Sequence, residues 1–145
     1  MYKHILIPTD GSPLSEDAVR QGIELAKSLS AKTTVITVSP RFHTFAVDPG
    51  MITNTPQEFE RESEAIATKI LGTAEAMARA SSVPFRALHV FHDHPHSAII
   101  EAAHTNHCDL ICMASHGRKG LSALILGSET TKVLTHSRIP VLVCR

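Results

Sequence analysis

Apolar residues along this chain fall into short blocks whose spacing switches between that of a buried strand and that of an amphipathic helix. Residues 3–9 (KHILIPT) form a short apolar run stopped at Pro8, which reads as a strand. Ser12 and Pro13 then offer a helix cap and a first-turn proline, and Ala18, Ile23, Leu25, Ala26 and Leu29 supply an apolar stripe for the helix behind them. Residues 33–38 (TTVITV) are β-branched throughout and close at Ser39-Pro40, predicting a second strand. The stretch from Arg41 to Pro56 carries Phe42, Phe45, Pro49 and Gly50 without a period, and reads as a surface excursion of the kind that carries or covers a site.

The alternation then continues. Thr55-Pro56 caps a long helix to about Ala80, with Glu58, Glu60 and Glu62 near the positive end of its dipole. FRALHVF (85–91) predicts a third strand, and a helix opens near Pro95 and runs through SAIIEAAHTN. Residues 109–114 (DLICMA) predict a buried strand, SHGRKG a glycine-punctuated loop, residues 121–136 a helix, and VLVCR after Pro140 a last strand. Five strands alternating with four helices imply an α/β fold. It is doubly wound and Rossmann-like, a five-stranded parallel sheet in the order 3-2-1-4-5 with helices on both faces.

Size and charge narrow the class. A length of 145 residues fits one domain, residues 1–145. No apolar run approaches the roughly 18 residues of a membrane span. Fourteen basic residues balance fourteen acidic ones, so a general nucleic-acid or lipid footprint is not expected. The N-terminus enters a strand at once, without a secretory leader, and the expected location is cytoplasmic.

Cys108, Cys112 and Cys144 lie in or beside apolar segments and read as small buried hydrophobes. Cys108 and Cys112, four residues apart at a strand start, are expected on one face. Ten histidines include His92, His94 and His96 around Asp93. At a strand-to-helix turn these read as a surface patch titrating near neutrality rather than as a metal site.

Two polar clusters fall at carboxyl ends of strands, where ligands of open parallel sheets collect. One is Pro8, Thr9, Asp10, Gly11 and Ser12; the other is Ser115, His116, Gly117, Arg118, Lys119 and Gly120. An aspartate there can accept from ribose hydroxyls, and a glycine loop admits phosphate oxygens to backbone amides. Gly127-Ser128 with Glu129 and Thr130 adds a close backbone approach and hydroxyls, with Arg118 and Lys119 balancing charge. Taken singly, Asp-Gly-Ser reads first as a turn and helix cap, His-Gly-Arg-Lys-Gly as an exposed loop and Gly127 as a helix contact or kink; it is their joint placement that points to a ligand.

ILIPTDGS, the ITV strand ending, DLICMASHGRKGLSALILGSETTKVL and IPVLVCR together resemble the universal stress protein family, in order and over nearly the whole chain. The nucleotide-binding branch of that family carries glycine, two residues, glycine, nine residues, then glycine with serine or threonine. Here Gly117 and Gly127-Ser128 match, whereas Ala114 replaces the first glycine. The resemblance implies a regulatory stress-response protein binding ATP or AMP, with Mg²⁺ accompanying ATP and little or no hydrolysis, and no residue is marked as catalytic. It places Asp10 on ribose, Pro8, Thr9 and the Val38 backbone around adenine, and Met113, Ala114, Ser115, His116, Gly117, Arg118, Lys119 and Gly120 along the nucleotide. Gly117, Gly127, Ser128, Glu129 and Thr130 would face phosphates. It also implies a homodimer through the C-terminal strand, whose open edge invites pairing. Family members lacking the glycines bind no nucleotide, so the alternative is a dimeric interaction protein of the same fold whose pocket is closed at Ala114.

Overall fold

The computed structural model describes residues 1–43, 55–117 and 125–145. In chain order the elements are β1 (His4–Pro8), α1 (Pro13–Leu29), β2 (Lys32–Ser39), α2 (Pro56–Ala80), β3 (Phe85–Phe91), α3 (Pro95–Thr105), β4 (Leu110–Ala114), α4 (Ser128–His136) and β5 (Val141–Cys144). Every pairing is parallel and the order is β3-β2-β1-β4-β5, as the alternation predicts. Strand order therefore reverses between β1 and β4, and their carboxyl ends open on the same crevice.

Successive side chains of a strand point to opposite faces, which sorts the apolar blocks into two cores. Ile5, Ile7, Val35, Leu110 and Cys112 pack under α1 and α2, against Ala18, Val19, Ile23, Leu71 and Ala74. Leu6, Ile36, Ile111 and Met113 pack under α3 and α4, against Ile99, Ala103 and Val133. Consecutive residues Ile5, Leu6 and Ile7 are all fully buried, so the unbroken apolar run of β1 is the signature of a strand covered on both faces.

The predicted caps form. Ser12 Oγ accepts from the Ser15 N–H at 3.3 Å, and Pro13 opens α1. Thr55 and Glu58 exchange reciprocal bonds, each 3.2 Å, in a capping box at the start of α2. The last helix departs from expectation. It begins at Ser128, not 121, because Gly127 is extended (φ −61°, ψ 152°) and commits its N–H to the Ser115 carbonyl at 2.7 Å. Ile125 and Leu126 are irregular, and 121–124 lie outside the described residues, as do 44–54 of the expected surface excursion.

At the opposite end of the sheet the Asp109 carboxylate accepts from the Lys3 and His4 N–H groups at 2.9–3.1 Å, joining the entry of β4 to that of β1. His4 itself is buried, with Nε2 2.8 Å from Thr34 Oγ1. Burial lowers its pKa from 6.5, helped by Lys32 and Arg86, while the Asn106 carbonyl and Asp109 oppose. Between this lowered value and 6.5 the unfolded chain binds the proton that the folded chain refuses, so His4 draws stability away as the pH falls below 6.5.

Two outcomes are expected in denaturant titrations. Leu6→Ala, which empties a fully buried site, lowers unfolding free energy by about 2–5 kcal/mol with unchanged denaturant dependence. His4→Gln flattens the loss of stability between neutral pH and pH ~5 relative to the parent; an unchanged slope would remove His4 as its source.

Candidate functional site

The exit of β1 is built by hydroxyls. The Thr9 N–H donates to the Ile36 carbonyl of β2 at 2.9 Å, holding the strand end in register one residue past Pro8. Thr9 Oγ1 lies 3.0 Å from Ser15 Oγ, and Asp10 Oδ1 accepts from the Ser12 N–H and from Ser15 Oγ, each at 2.9 Å. Ser15 thus ties Thr9, Asp10 and Ser12 together, a role the sequence reading did not assign. Its signal was available as the third residue of a helix behind a serine cap, a position whose side chain folds back on the cap.

The exit of β4 comes to meet this loop. A Cβ placed on Gly117 would lie 2.7 Å from Asp10 Oδ2, closer than real Cβ contacts allow, so only glycine admits the Asp10 carboxylate at that point. Gly127 is pressed against the same segment from the other side. A Cβ there would sit 3.2 Å from both His116 Cα and the Ser115 carbonyl oxygen. On sequence grounds a bulky residue at Gly127 is expected to obstruct a ligand; the structure shows that it first strikes the Ser115–His116 backbone. Ser115 is fastened further by its N–H to the Cys144 carbonyl at 2.9 Å, and Ala114 by its carbonyl accepting from Thr130 Oγ1 at 2.9 Å.

Asp10, Ser115, His116, Gly117, Gly127 and the start of α4 at Ser128 are thereby brought to one crevice. Pro8 and Thr9 lead into it, and Val38 lies two residues past Ile36 on the neighbouring strand, partly buried near Leu88 and Val90. Met113 is buried in the core under α3 and α4. The methyl of Ala114 is buried with Cys112 and Cys144 under α1, and the residue is not among those of positive φ, which are Ser30, Ser82 and His107 besides glycine. Its substitution for glycine is absorbed by that core. Thr130 is buried, and its hydroxyl is spent on Ala114. Arg118, Lys119 and Gly120 lie outside the described residues.

Two side chains set the local polarity. His116 is buried, with Nδ1 2.9 Å from Ser115 Oγ, and Nε2 has no hydrogen-bond partner among the described residues. A buried imidazole nitrogen left unmatched is costly unless something polar reaches it. Glu129 turns its carboxylate towards α3, accepting from the His96 N–H at 2.8 Å, with His96 Nδ1 at 3.1 Å and Lys132 Nζ at 3.4 Å. Burial works to raise its pKa, but the His96 N–H and imidazole and the Lys132 ammonium outweigh it and hold the carboxyl below its ordinary value. Glu129 therefore serves as the cap that α3 lacks at its own N-cap position, where His94 makes no side-chain cap bond.

The imidazoles of His92, His94, His96 and His136 run in a row with ring centres 6.0–6.1 Å apart. His96 and His136 line a cavity of about 390 Å³ with Ser97, Ile100 and Glu101. Among the described residues no three of His, Cys, Asp and Glu converge as metal ligands would.

A parallel sheet reversing at β1/β4, with one glycine against a carboxylate and a second pressed on backbone at the reversal, defines a Rossmann-like domain of the kind that takes ligands at its strand ends. The profile of the universal stress protein family matches residues 1–145, and the chain belongs to that family. A universal stress protein of Methanocaldococcus jannaschii is 31% identical over 150 residues, covering 100% of this chain and 83% of its own. In structure, the universal stress protein UspA of Lactobacillus plantarum superposes with a TM-score of 0.75 at 24% identity, covering 99% and 98% of the two chains. A universal stress protein of Archaeoglobus fulgidus in complex with dAMP gives 0.70 at 17% identity over 99% and 98%. Another universal stress protein, in complex with cAMP, gives 0.67 at 22% over 99% and 97%.

Gly117→Ala is expected to expel the Asp10 carboxylate from its place and to lower stability by about 1 kcal/mol, the worth of a hydrogen bond. Combining it with Asp10→Ala should cost less than the sum of the single changes, since the clash has then lost its partner. Additive costs in thermal or denaturant unfolding would separate the two loops.

Proposed function

We propose that this protein binds an adenine nucleotide, ATP or AMP, in the crevice between the exits of β1 and β4, and that the nucleotide regulates a stress response. The observation that carries the reading is the close approach of Asp10 to Gly117, a carboxylate set where ribose hydroxyls can be held beside a residue with no side chain to intervene. In this reading Asp10 takes the ribose, and Pro8, Thr9 and the backbone of Val38 surround adenine. The chain from Met113 to Gly120, with Arg118 and Lys119, runs along the nucleotide. The backbone at Gly117, Gly127, Ser128, Glu129 and Thr130 faces the phosphates. α4 starts without a side-chain cap, so its first N–H groups and its dipole favour an anion at that end. His116 Nε2 offers a further buried polar atom. The cAMP and dAMP complexes of relatives with the same fold support the choice of an adenine nucleotide.

We infer binding with little or no hydrolysis. Asp10 Oδ1 is engaged by Ser12 and Ser15 and His116 Nδ1 by Ser115, and no separate residue is marked as the base that would activate water. Mg²⁺ would enter with ATP as the counterion of its phosphates. The single domain would act in the cytoplasm, without a membrane or nucleic acid as partner; no described helix is long and apolar enough to cross a membrane. We also infer a homodimer paired through β5, an edge strand whose Leu142 is 43% exposed.

Calorimetric titration with adenosine mono-, di- and triphosphate tests the reading, together with mass spectrometry of any ligand released on denaturation. Saturable binding by the parent and a loss of at least about tenfold in Asp10→Ala, roughly 1.4 kcal/mol, is expected for a charged hydrogen-bond acceptor. A folded parent that binds none of them would point instead to the interaction protein of the same fold. Leu142→Glu should shift the mass seen by light scattering from dimer to monomer; a parent that is already monomeric would refute the β5 pairing.

A further inference from the structure

Cys112 in the middle of β4 and Cys144 at the end of β5 face each other under α1, their Sγ atoms 3.4 Å apart. Cys108 lies on the opposite face, among Ile99 and Ala103. The sequence reading placed Cys108 and Cys112 on one face; β4 begins only at Leu110, so the two are turned to different cores, and the partner of Cys112 comes from the next strand.

The two sulfurs are not equivalent. The hydrogen bond from Cys112 lowers the Cys144 thiol to about 7 against the opposing effect of burial, and the same bond, with burial, pushes Cys112 up. Burial first, and Asp109 second, raise Cys108 to about 11. Cys144, at the end of the edge strand and less deeply buried than Cys112, is the sulfur a peroxide meets first, Cys112 stands within reach to resolve it, and Cys108, on the other face, is an internal control.

We propose that Cys112 and Cys144 form an oxidation-sensitive pair that a hydroperoxide converts to a disulfide, and that closing this bond pulls β5 off the Ser115 loop. The Cys144 thiolate attacks one peroxide oxygen and the O–O bond breaks. The departing alkoxide or hydroxide takes up a proton, leaving Cys144 as a sulfenic acid. Cys112 sulfur, giving up its proton, then attacks the Cys144 sulfur; the S–O bond breaks and water leaves. Two thiols have lost two electrons in total, and the peroxide has been reduced to an alcohol, or water, and a second water.

The register decides the consequence. Cys112 stands opposite Leu142, and Cys144 opposite Ala114, so the pair is diagonal. With a parallel rise near 3.3 Å per residue and strands near 4.8 Å apart, the two Cα atoms are roughly 8 Å apart, beyond the usual span of about 6.8 Å for a disulfide. The sulfurs must also close from 3.4 Å to about 2.05 Å. β5 is a four-residue strand at the edge of the sheet, hydrogen-bonded within the chain to β4 alone. Sliding Cys144 back towards Cys112 withdraws its carbonyl from the Ser115 N–H, now 2.9 Å away, and so loosens the segment that carries His116 and Gly117. A bridge under such strain is readily reduced, which makes the change reversible. This chemistry does not depend on whether the crevice holds a nucleotide.

The test uses the reduced parent protein exposed to hydrogen peroxide, then alkylated and peptide-mapped. A Cys112–Cys144 bridge that dithiothreitol reverses is expected, with Cys108 remaining a thiol. Amide exchange at Ser115 should be at least tenfold faster in the bridged form. In Cys112→Ser, whose hydroxyl keeps a donor beside Cys144 but cannot resolve it, Cys144 should stop at the sulfenic acid and be trapped by dimedone. Thiols that all survive until denaturant is added, or a bridge through Cys108, would overturn the pair. A bridged protein whose Ser115 amide exchanges as before would overturn the slip of β5.

Discussion

Three hydrogen bonds, two to peptide groups and one from the Thr130 hydroxyl, hold the backbone at the exit of β4. The Ser115 N–H donates to Cys144 of β5, the Ser115 carbonyl accepts from Gly127 at 2.7 Å, and the Ala114 carbonyl accepts from Thr130. These bonds fix where His116 and Gly117 stand, and hence how closely Asp10 can approach them. Because Gly127 lies against peptide rather than against a flexible side chain, nothing nearby can give way to a larger residue. The crevice is set by peptide contacts first and by side chains second.

Its two walls derive their rigidity from different sources. The β1 side depends on a small network of hydroxyls around Ser15, in which each oxygen serves more than one neighbour. The β4 side depends on sheet pairing and on the start of α4. Glu129 extends that second wall, since by capping α3 in place of a residue at His94 it links the helices that cover one face of the sheet. A disturbance of β5 therefore reaches the β4 exit through one hydrogen bond, whereas the β1 exit is insulated by its own network.

Much of the architecture could be read from residue order because it rests on local chemistry. Runs such as HILIP and LICMA are buried on both faces, and Ser12 and Thr55 cap helices wherever a proline follows. That Asp10 and the two glycine segments stand at strand ends was legible as well, since the alternation of elements sets both at the carboxyl edge of the sheet. The start of α4 was misplaced because Leu121 to Leu126 have helical propensity, and nothing local reveals that Gly127 will give its N–H to Ser115.

Distant pairing lay beyond any local pattern. Which thiol faces Cys112, what the Ala114 carbonyl accepts and what the Glu129 carboxylate holds each depend on residues 16 to 33 positions away, brought near by strand register and helix packing. A side chain's neighbours along the chain set its backbone conformation; its neighbours in space are chosen by how the two faces of the sheet are filled. The residues in order were sufficient for the fold and for the family. The contacts that give the crevice its shape arise from packing.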